Sequence, residues 1–201
     1  MQNQVDYKDG VDLITSLDNE SQLLYGKGRT YGIEFMIKKA QGRLTGWIGY
    51  TISKSKRKID GINNYKWYNS TQDRTHDLSV VAMYELTKHW SLSSLFVCNT
   101  GGAITYPSGK YEIDGNTTFY YNERNGYRLP SYHRLDIGAT YSKSHKKNYE
   151  STWNFSIFNV YGRQNAYSIS FANSKNDPTK TVATQTSLFR WIPSITYNFK
   201  F

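Results

Sequence analysis

The chain has 201 residues, of which 38% are hydrophobic, 20% are charged and 16% are aromatic. Its mean hydropathy is −0.68, and it has no apolar run near the roughly 18 residues that a bilayer requires, which excludes a transmembrane helix. A membrane β-barrel stays open, because barrel strands are only half apolar, and the net charge of +9 makes nucleic acid a partner to consider.

Several kinds of site are missing from the sequence. The single cysteine, Cys98, can form no internal disulfide and matches no metal-ligand spacing. No Gly-rich phosphate loop and no HExxH or GxSxG motif occurs. Residues 1–20 lack the basic and apolar segments of a signal peptide. We therefore expect no cofactor, no metal, no enzymatic activity and no signal peptide.

Alternation of apolar and polar residues with period 2 is the strongest pattern in the chain. It predicts strands whose two faces meet different media. In chain order the predicted strands cover residues 31–38, 44–53, 77–86, 90–99, 134–141, 153–161 and 193–201. Aromatic residues lie near several strand ends, where the interfacial girdles of a barrel would place them.

The connections between these strands alternate in length. Residues 40–42, 87–89 and 142–149 are short and polar and predict hairpin turns, whereas residues 55–76, 101–132 and 162–185 predict long loops. Such long loops are unusual inside a compact soluble domain. Short periplasmic turns and long outer loops are typical of an outer-membrane barrel, so we predict an all-β, antiparallel transmembrane β-barrel.

Seven strands are an incomplete set for such a barrel. Bacterial single-chain barrels close with an even number of strands, and an open sheet leaves two unpaired edges that lipid does not tolerate. An eighth strand around residues 11–17 would have poor alternation. We expect residues 26–201 to be the C-terminal part of a larger barrel, with residues 1–25 as an outer loop or the end of a preceding strand.

Five short segments carry recognisable combinations of residues. They are GKGRTYGIE at residues 26–34, DRTHDL at 73–78, LPSYHRLD at 129–136, FNVYGRQN at 158–165 and PSITYNFKF at 193–201. In this order they resemble segments of TonB-dependent outer-membrane receptors, although the fourth has Tyr161-Gly162 where the family usually has Phe-Asn. The residues of these segments most closely resemble those of receptors that carry a carboxypeptidase-regulatory-like domain ahead of the plug.

The resemblance implies a barrel of about 22 strands in the cell outer membrane. A plug would block it, and it would import a scarce nutrient, such as a siderophore or a glycan, when TonB pulls on the plug. This chain would supply about seven C-terminal strands of the barrel. Nothing in it resembles a plug, so we expect a fragment that reaches TonB only through a missing plug and contacts outer-membrane lipid and the remaining strands.

Charged residues beside the apolar alternation are the first candidates for a role. Arg74 and Asp77 lie where one strand begins, and Arg134 and Asp136 lie where another begins. Because an Arg at mid-bilayer costs roughly 2–4 kcal/mol, we expect these charges to face the lumen or the rim. There they would neutralise the inner wall, hold a plug or guide a substrate.

The last strand is a second candidate. Ile195, Tyr197, Phe199 and Phe201 form its apolar face. In outer-membrane proteins the barrel-assembly machinery recognises such a strand as an exposed edge that accepts strand addition. The alternative is an ordinary amphipathic last strand. An apolar edge that no assembly machinery recognises would, however, be an aggregation hazard.

Aromatic residues in the long loops are a third candidate. Tyr65, Trp67, Tyr68, Tyr106 and Tyr111 lie in the first two of these loops. They would either stack on a sugar or aromatic ligand or pack the loops together.

Other functions are less well supported by the sequence. The basic runs at residues 53–58 and 145–147 fall at a predicted loop and turn, which favours solvent or anionic lipid headgroups over nucleic acid. The four histidines adjoin different turns, which argues against a metal site. Two alternatives remain: an autonomous eight-stranded outer-membrane barrel with a structural or adhesive role, and a soluble β-sheet carbohydrate-binding module.

Overall fold

A computed structural model of the chain describes residues 4–8, 20–113, 116–144, 149–177 and 179–200. Within these residues no helix has both the length and the apolar character needed to cross a bilayer. The strands are β1 (Gln4–Tyr7), β2 (Leu23–Lys39), β3 (Leu44–Ile59), β4 (Tyr68–Asn69), β5 (His76–Glu85), β6 (Trp90–Asn99), β7 (Ala103–Ile104), β8 (Gly109–Ile113), β9 (Asn116–Tyr120), β10 (Tyr127–Arg128), β11 (Tyr132–Ser144), β12 (Glu150–Phe158), β13 (Ser168–Asn173), β14 (Thr181–Thr186) and β15 (Ile192–Lys200).

One large antiparallel sheet forms the body of the molecule. Its strand order is β1-β2-β3-β5-β6-β11-β12-β15, and β4 pairs with β3 beyond the start of β5. Neighbours in this order are neighbours along the chain once the short loop strands are left aside. The three remaining pairs, β7 with β10, β8 with β9 and β13 with β14, lie in the long connections.

The seven predicted strands are confirmed as the seven long strands of this sheet. The prediction was wrong about one boundary of each of the first two strands: the start of the first and the end of the second. β2 begins at Leu23 and β3 continues to Ile59, so the connection predicted to start at residue 55 starts after Ile59. Apolar alternation stops at Ile52 because polar or charged side chains occupy both faces of the ribbon from Ser53 to Lys58.

The register gives the main sheet two chemically different faces. Cross-strand partners on one face include Ile33 with Ile52 and Val80 with Phe96. The opposite face pairs polar groups such as Asp77 with Asn99. Ile33 is 62% exposed, and a whole sheet face of exposed apolar side chains is what an outer-membrane barrel presents to lipid. We call the first face the apolar face and the second the polar face.

Aromatic and histidine residues bound the apolar face at both ends. Eight residues separate His76 from Tyr84 on β5, and the same number separates His133 from Tyr141 on β11. At about 3.4 Å per residue and a tilt near 40°, this spacing spans about 21 Å, close to the apolar band of outer-membrane barrels. The lower boundary includes the ring pair of Trp90 and Tyr141, whose centroids lie 5.1 Å apart.

The small buried core lies outside this band. Ile59 and Ile62 are fully buried, Tyr68 is 5% exposed, and Leu24 packs against them. These residues join the outer end of the β2–β3 ribbon to the loop after β3. The sheet itself needs no core on the apolar face, because lipid takes the place of a packing partner.

Within the described residues the sheet is open. β15 pairs with β12 along residues 192–200 and has no partner on its other side. At the opposite edge, β1 covers only the outer part of β2, from Leu23 to Gly26. Residues 11–17, where the sequence left an eighth strand open, lie outside the described residues.

Candidate functional site

The loops at the outer end of the sheet are attached to it through Asp73. β3 pairs with β5 up to Ile52 and then with β4, and Asp73 lies at this change of partner. The Ser55 backbone N–H donates to its Oδ1 at 2.5 Å, Lys54 Nζ lies 3.3 Å from its Oδ2, and Arg128 Nη2 donates to the same oxygen. The carboxylate therefore joins β3, the β5 junction and β10.

The environment of Asp73 favours its charged form. Its side chain has no solvent exposure, and burial alone would raise the pKa of the carboxyl group. Hydrogen bonds from the Ser55 backbone, Arg128 and Lys54 outweigh burial and hold that pKa below its usual value. A buried carboxylate with this set of donors is a stable anchor at neutral pH.

A second charged cluster attaches β1 to the same loops. Arg124 Nη1 donates to Asp6 Oδ1 at 2.8 Å, and the Tyr68 hydroxyl donates to Asp6 Oδ2 at 2.9 Å. Arg57 Nη1 lies 3.9 Å from the same carboxylate. Burial, and then the Asp6 carboxylate, raise the pKa of the Tyr68 hydroxyl, so this group stays a hydrogen-bond donor.

A polar cleft of about 430 Å³ opens between the loop after β3 and the segment before β10. Two segments in left-handed conformation shape it: residues 63–65 have φ of 49°, 53° and 57°, and Asn125 has φ of 55°. The Asn63 side chain joins them, since its Nδ2 donates to the Arg124 carbonyl at 3.0 Å and its Oδ1 accepts from the Arg124 N–H at 2.8 Å.

The lining of this cleft is rich in amides. Its asparagines are Asn63, Asn64, Asn69, Asn122 and Asn125. Asn63 and Asn125 already use their amides to hold the loops together. The amides of Asn64, Asn69 and Asn122 offer donors and an acceptor to a ligand, and the half-buried Trp67 adds an aromatic surface. Lys56, Lys66, Glu123 and Arg124 also line the cleft. The arrangement suits a polar ligand with many hydrogen-bonding groups rather than an apolar one.

A third junction holds the loop after β12. Asn159 is 1% exposed and left-handed, with φ of 54°. Its N–H donates to Asp136 Oδ1 at 2.8 Å, and its Nδ2 donates to the carbonyls of Arg163, at 2.9 Å, and Arg190. Asn165 spans the gap to β11 by accepting from the His133 N–H at 3.1 Å and donating to its carbonyl at 3.0 Å.

The four predicted lumen or rim charges are placed differently from one another. Arg134 and Asp136 form an ion pair of 2.8 Å on the polar face, and the Arg134 guanidinium lies 4.1 Å from the Phe158 ring centre. Asp77 lies on the polar face opposite Asn99, whereas Arg74 is exposed at the start of β5. Among the described residues, Arg74 and Asp77 form no ion pair with each other.

The predicted loop aromatics do not form a single surface. Tyr65 lies under Lys58 Nζ at 4.1 Å and Trp67 under the Arg29 guanidinium at 4.2 Å, while Tyr68 is buried. Tyr106 belongs to a separate cluster, with its ring centre 5.1 Å from Tyr127 and 4.9 Å from Phe171. Tyr111 is 47% exposed on β8. Of the five, Trp67 and Tyr68 line the polar cleft.

Comparison with known families is consistent with this geometry. A family model described as "TonB dependent receptor-like, beta-barrel" matches residues 3–160. The chain belongs to this family. Its fold class is therefore that of a TonB-dependent receptor barrel, and its role is that of an outer-membrane receptor in a family of transporters rather than enzymes. Comparison with curated proteins and with solved structures gave no match.

In this receptor barrel the predicted assembly residues lie on an open edge strand. Ile195, Tyr197 and Phe199 are 68%, 48% and 62% exposed on the apolar face of β15. The Tyr197 ring centre lies 4.6 Å from that of Trp153 on β12. Phe201 lies outside the described residues.

Several residues that organise the receptor's outer end were not singled out from the sequence. Asp73 opens the DRTHDL segment and Asn159 lies in FNVYGRQN, so the motifs pointed to them without giving a role. Asp6 and Arg124 are 118 residues apart, and nothing in the local sequence connects them. Among the residues described, no group of three or more His, Cys, Asp or Glu side chains is arranged to hold a metal ion.

Proposed function

We propose that this chain forms part of the wall and outer mouth of a receptor for TonB-energised uptake of a scarce nutrient. The observation that carries the proposal is the polar, amide-lined cleft at the outer end of the main sheet, one face of which is apolar. Such a cleft lies where an incoming ligand first meets an outer-membrane barrel. The chain's membership of a transporter family supports the same role.

The open edges of the sheet support a place within a larger barrel. Unpaired N–H and C=O groups at membrane depth are too costly to remain exposed to lipid. In our proposal residues 26–201 are C-terminal strands, further strands complete a wall of about 22, and a plug inside that wall contacts TonB. Arg134, Asp136 and Asp77 on the polar face would meet the plug or the passing ligand, and Arg74 would lie at the rim.

The chemistry of the cleft favours a hydroxyl-rich ligand such as a glycan. Amide side chains can donate to and accept from sugar hydroxyls at once, and Trp67 offers a ring for stacking. Lys56, Lys66 and Arg124 would also accept a ligand that carries carboxylates. A ferric siderophore is the alternative nutrient.

Uptake by cells that produce the protein tests this function. The probes are a radiolabelled malto-oligosaccharide and an iron-55 hydroxamate siderophore, each supplied with and without a protonophore. We expect energy-dependent accumulation of one probe, and a half-saturation concentration raised about tenfold in N64G/W67A, which loses an amide and a stacking ring. Gly at position 64 keeps the left-handed conformation available.

The matched control is T181A/V182A in β14, outside the lining of the cleft. It should leave accumulation of the probe unchanged. Accumulation of neither probe above the level of cells lacking the gene would contradict uptake of these nutrient classes. Accumulation that N64G/W67A and the control affect equally would contradict the assignment of the cleft.

We also propose that β15 is the strand read by the barrel-assembly machinery. Its apolar residues are accessible and one of its edges is unpaired within the described residues. A partner strand could therefore add to it without displacing any pairing already made.

A further inference from the structure

The β2–β3 ribbon continues past the edge of the apolar band, and its outward face becomes cationic. Tyr31, Ile33 and Ile52 are 60%, 62% and 42% exposed at the end of the band. Because side chains on a strand alternate between faces, the next residues on this same face are all cations. They are Lys27 and Arg29 on β2 and Lys54, Lys56 and Lys58 on β3.

The register brings these cations directly opposite one another. Arg29 pairs with Lys56, and Lys27 pairs with Lys58. Like charges in directly opposed positions destabilise a sheet. Two such pairs in succession therefore indicate that an anion outside the chain completes the surface. We call Lys27, Arg29, Lys54, Lys56 and Lys58 the cation ladder.

Contacts within the chain balance only part of this charge. Lys54 forms an ion pair with Asp73 at 3.3 Å. Lys58 and Arg29 lie against the rings of Tyr65 and Trp67, which position the cations without neutralising them. Lys27, Arg29, Lys56 and Lys58 form no ion pair with any carboxylate in the part of the chain that the structure describes.

The cation ladder lies at the height of lipid headgroups. A step of two residues along a tilted strand rises about 5 Å. The ladder therefore covers about 10 Å beyond the band, starting at the pair of Tyr31 and Lys54. The headgroup layer of one leaflet occupies about 5–8 Å outside the hydrocarbon core.

The ladder is confined to this ribbon. On the same face, β5 begins with His76 and β11 begins near His133, with no further strand beyond them. The Tyr50 hydroxyl and His76 Nδ1 lie 2.8 Å apart, as do the Tyr161 hydroxyl and His133 Nδ1. The charge is thus a local surface and not a uniform feature of the outer rim.

We propose that the outward face of β2–β3 binds the phosphate groups of lipids in the outer leaflet. A phosphate accepts paired hydrogen bonds from the guanidinium of Arg29 and point-charge contacts from Lys27 and Lys58. The acyl chains of the same lipid continue onto Ile33 and Ile52 below. This continuity of apolar and cationic surface fits an amphipathic lipid rather than free phosphate. Because Lys56 also lines the polar cleft, the proposal rests on Lys27, Arg29 and Lys58 and does not depend on which nutrient the receptor carries.

Native mass spectrometry of the whole protein, purified from outer membranes in detergent, tests this surface. The titrants are bisphosphorylated lipid A, the same lipid after enzymatic removal of its phosphates, and inorganic phosphate. We expect the K27Q/K58Q variant, which leaves the lining of the polar cleft unchanged, to bind bisphosphorylated lipid A on the order of 30-fold more weakly, from two lost surface charges. Neither position has an intrachain ion pair among the described residues.

The matched control is K39Q/K88Q, which removes two exposed lysines at the opposite end of the strands. It should bind lipid A as the wild type does, and K27R/K58R should restore binding. Heat-modifiable gel mobility checks that each variant is folded, and a K27Q/K58Q that fails to fold is replaced by the single variant K27Q. Equal binding of the dephosphorylated lipid, equal binding of inorganic phosphate, or equal loss in the control would overturn the proposal.

Discussion

Asp73 connects several parts of the outer structure through one carboxylate. It accepts from the backbone of β3 and from cations on β3 and β10, although it lies in none of these elements. Removing one partner from a buried ion pair leaves the others without their acceptor. The position of two long connections therefore depends on one side chain.

Replacing Asp73 by Asn tests this dependence. D73N keeps the shape of the side chain but removes its charge, and we expect a loss of about 1–3 kcal/mol of unfolding free energy. The loop after β3 should also be cleaved faster by protease. D177N is the matched control, because Asp177 lies in an exposed turn and accepts only from Thr179 and Lys180 among the described residues. Equal sensitivity of the two variants would contradict the anchoring role.

The same residue predicts an acid limit for the loops. The pKa of Asp73 is lowered in the folded protein, so its contribution is complete above the ordinary carboxyl pKa of about 3.9. It is lost as the pH falls through the lower folded value. Pepsin should therefore leave the wild-type loops intact near pH 5 and begin to cleave them only well below pH 4. In D73N, which has no carboxyl group at this position, the onset of cleavage well below pH 4 should be absent.

How well a single residue could be predicted depends on how far away along the chain its partners lie. The faces of Ile33 and Asp136 follow from alternation alone, and in the structure Arg134 and Asp136, two residues apart, form an ion pair of 2.8 Å. The partnership of Asp73 with Arg128 spans 55 residues, and no local rule determines which loop folds back onto which strand. From the sequence, the outer site can therefore be predicted only as a set of loop aromatics, of which Trp67 and Tyr68 line the cleft.

At the scale of elements, the lengths of the strands differ most from expectation. The seven strands follow from period-2 alternation, because lipid on one side and a polar space on the other impose it. Once β2 and β3 leave the band, both of their faces carry mainly polar or charged side chains, and the pattern no longer marks a strand. In the hairpins β8–β9 and β13–β14 the strands have only five or six residues, so alternation such as that of Ile169 and Phe171 on β13 is too short to mark a strand.

The last strand provides a test at this scale. We expect Y197S/F199S to reduce the amount of folded protein in the outer membrane on the order of tenfold, because the apolar edge would no longer be recognised. I113S/V182S removes two comparably exposed apolar residues from the outer hairpins and should leave the amount unchanged. Membrane fractions compared by gel mobility before and after heating give the measurement. Similar losses in both variants would argue against a signal specific to β15.

The two-faced sheet orients the whole molecule in the bilayer. Trp90 and Trp153 are 37% and 41% exposed on the apolar face, near the boundary at the short turns. Trp47 pairs with Lys38 and Val81 on the polar face, and Trp67 lies among the outer loops. Lipid should therefore reach the first two rings and not the last two.

Fluorescence quenching by lipids with brominated acyl chains tests this orientation. In vesicles, W90F/W153F should lose roughly half or more of the quenching seen for the wild type, because these rings lie at the interface. W47F/W67F should lose little. An equal loss in both double variants would mean that the polar face also meets lipid, which would contradict the barrel.

The attachment points of the outer end lie at strand ends rather than at loop tips. Asp73 and Asn159 lie next to an end of a long strand, and Asp136 lies in the outer part of β11. The hairpins β8–β9 and β13–β14 instead contact one another through Lys110 and Asn173, 3.4 Å apart. Recombination or insertion at the hairpin tips can therefore change what the mouth presents without altering the points that hold it. The same separation gives protein engineers two places to graft a new recognition loop onto an unchanged wall.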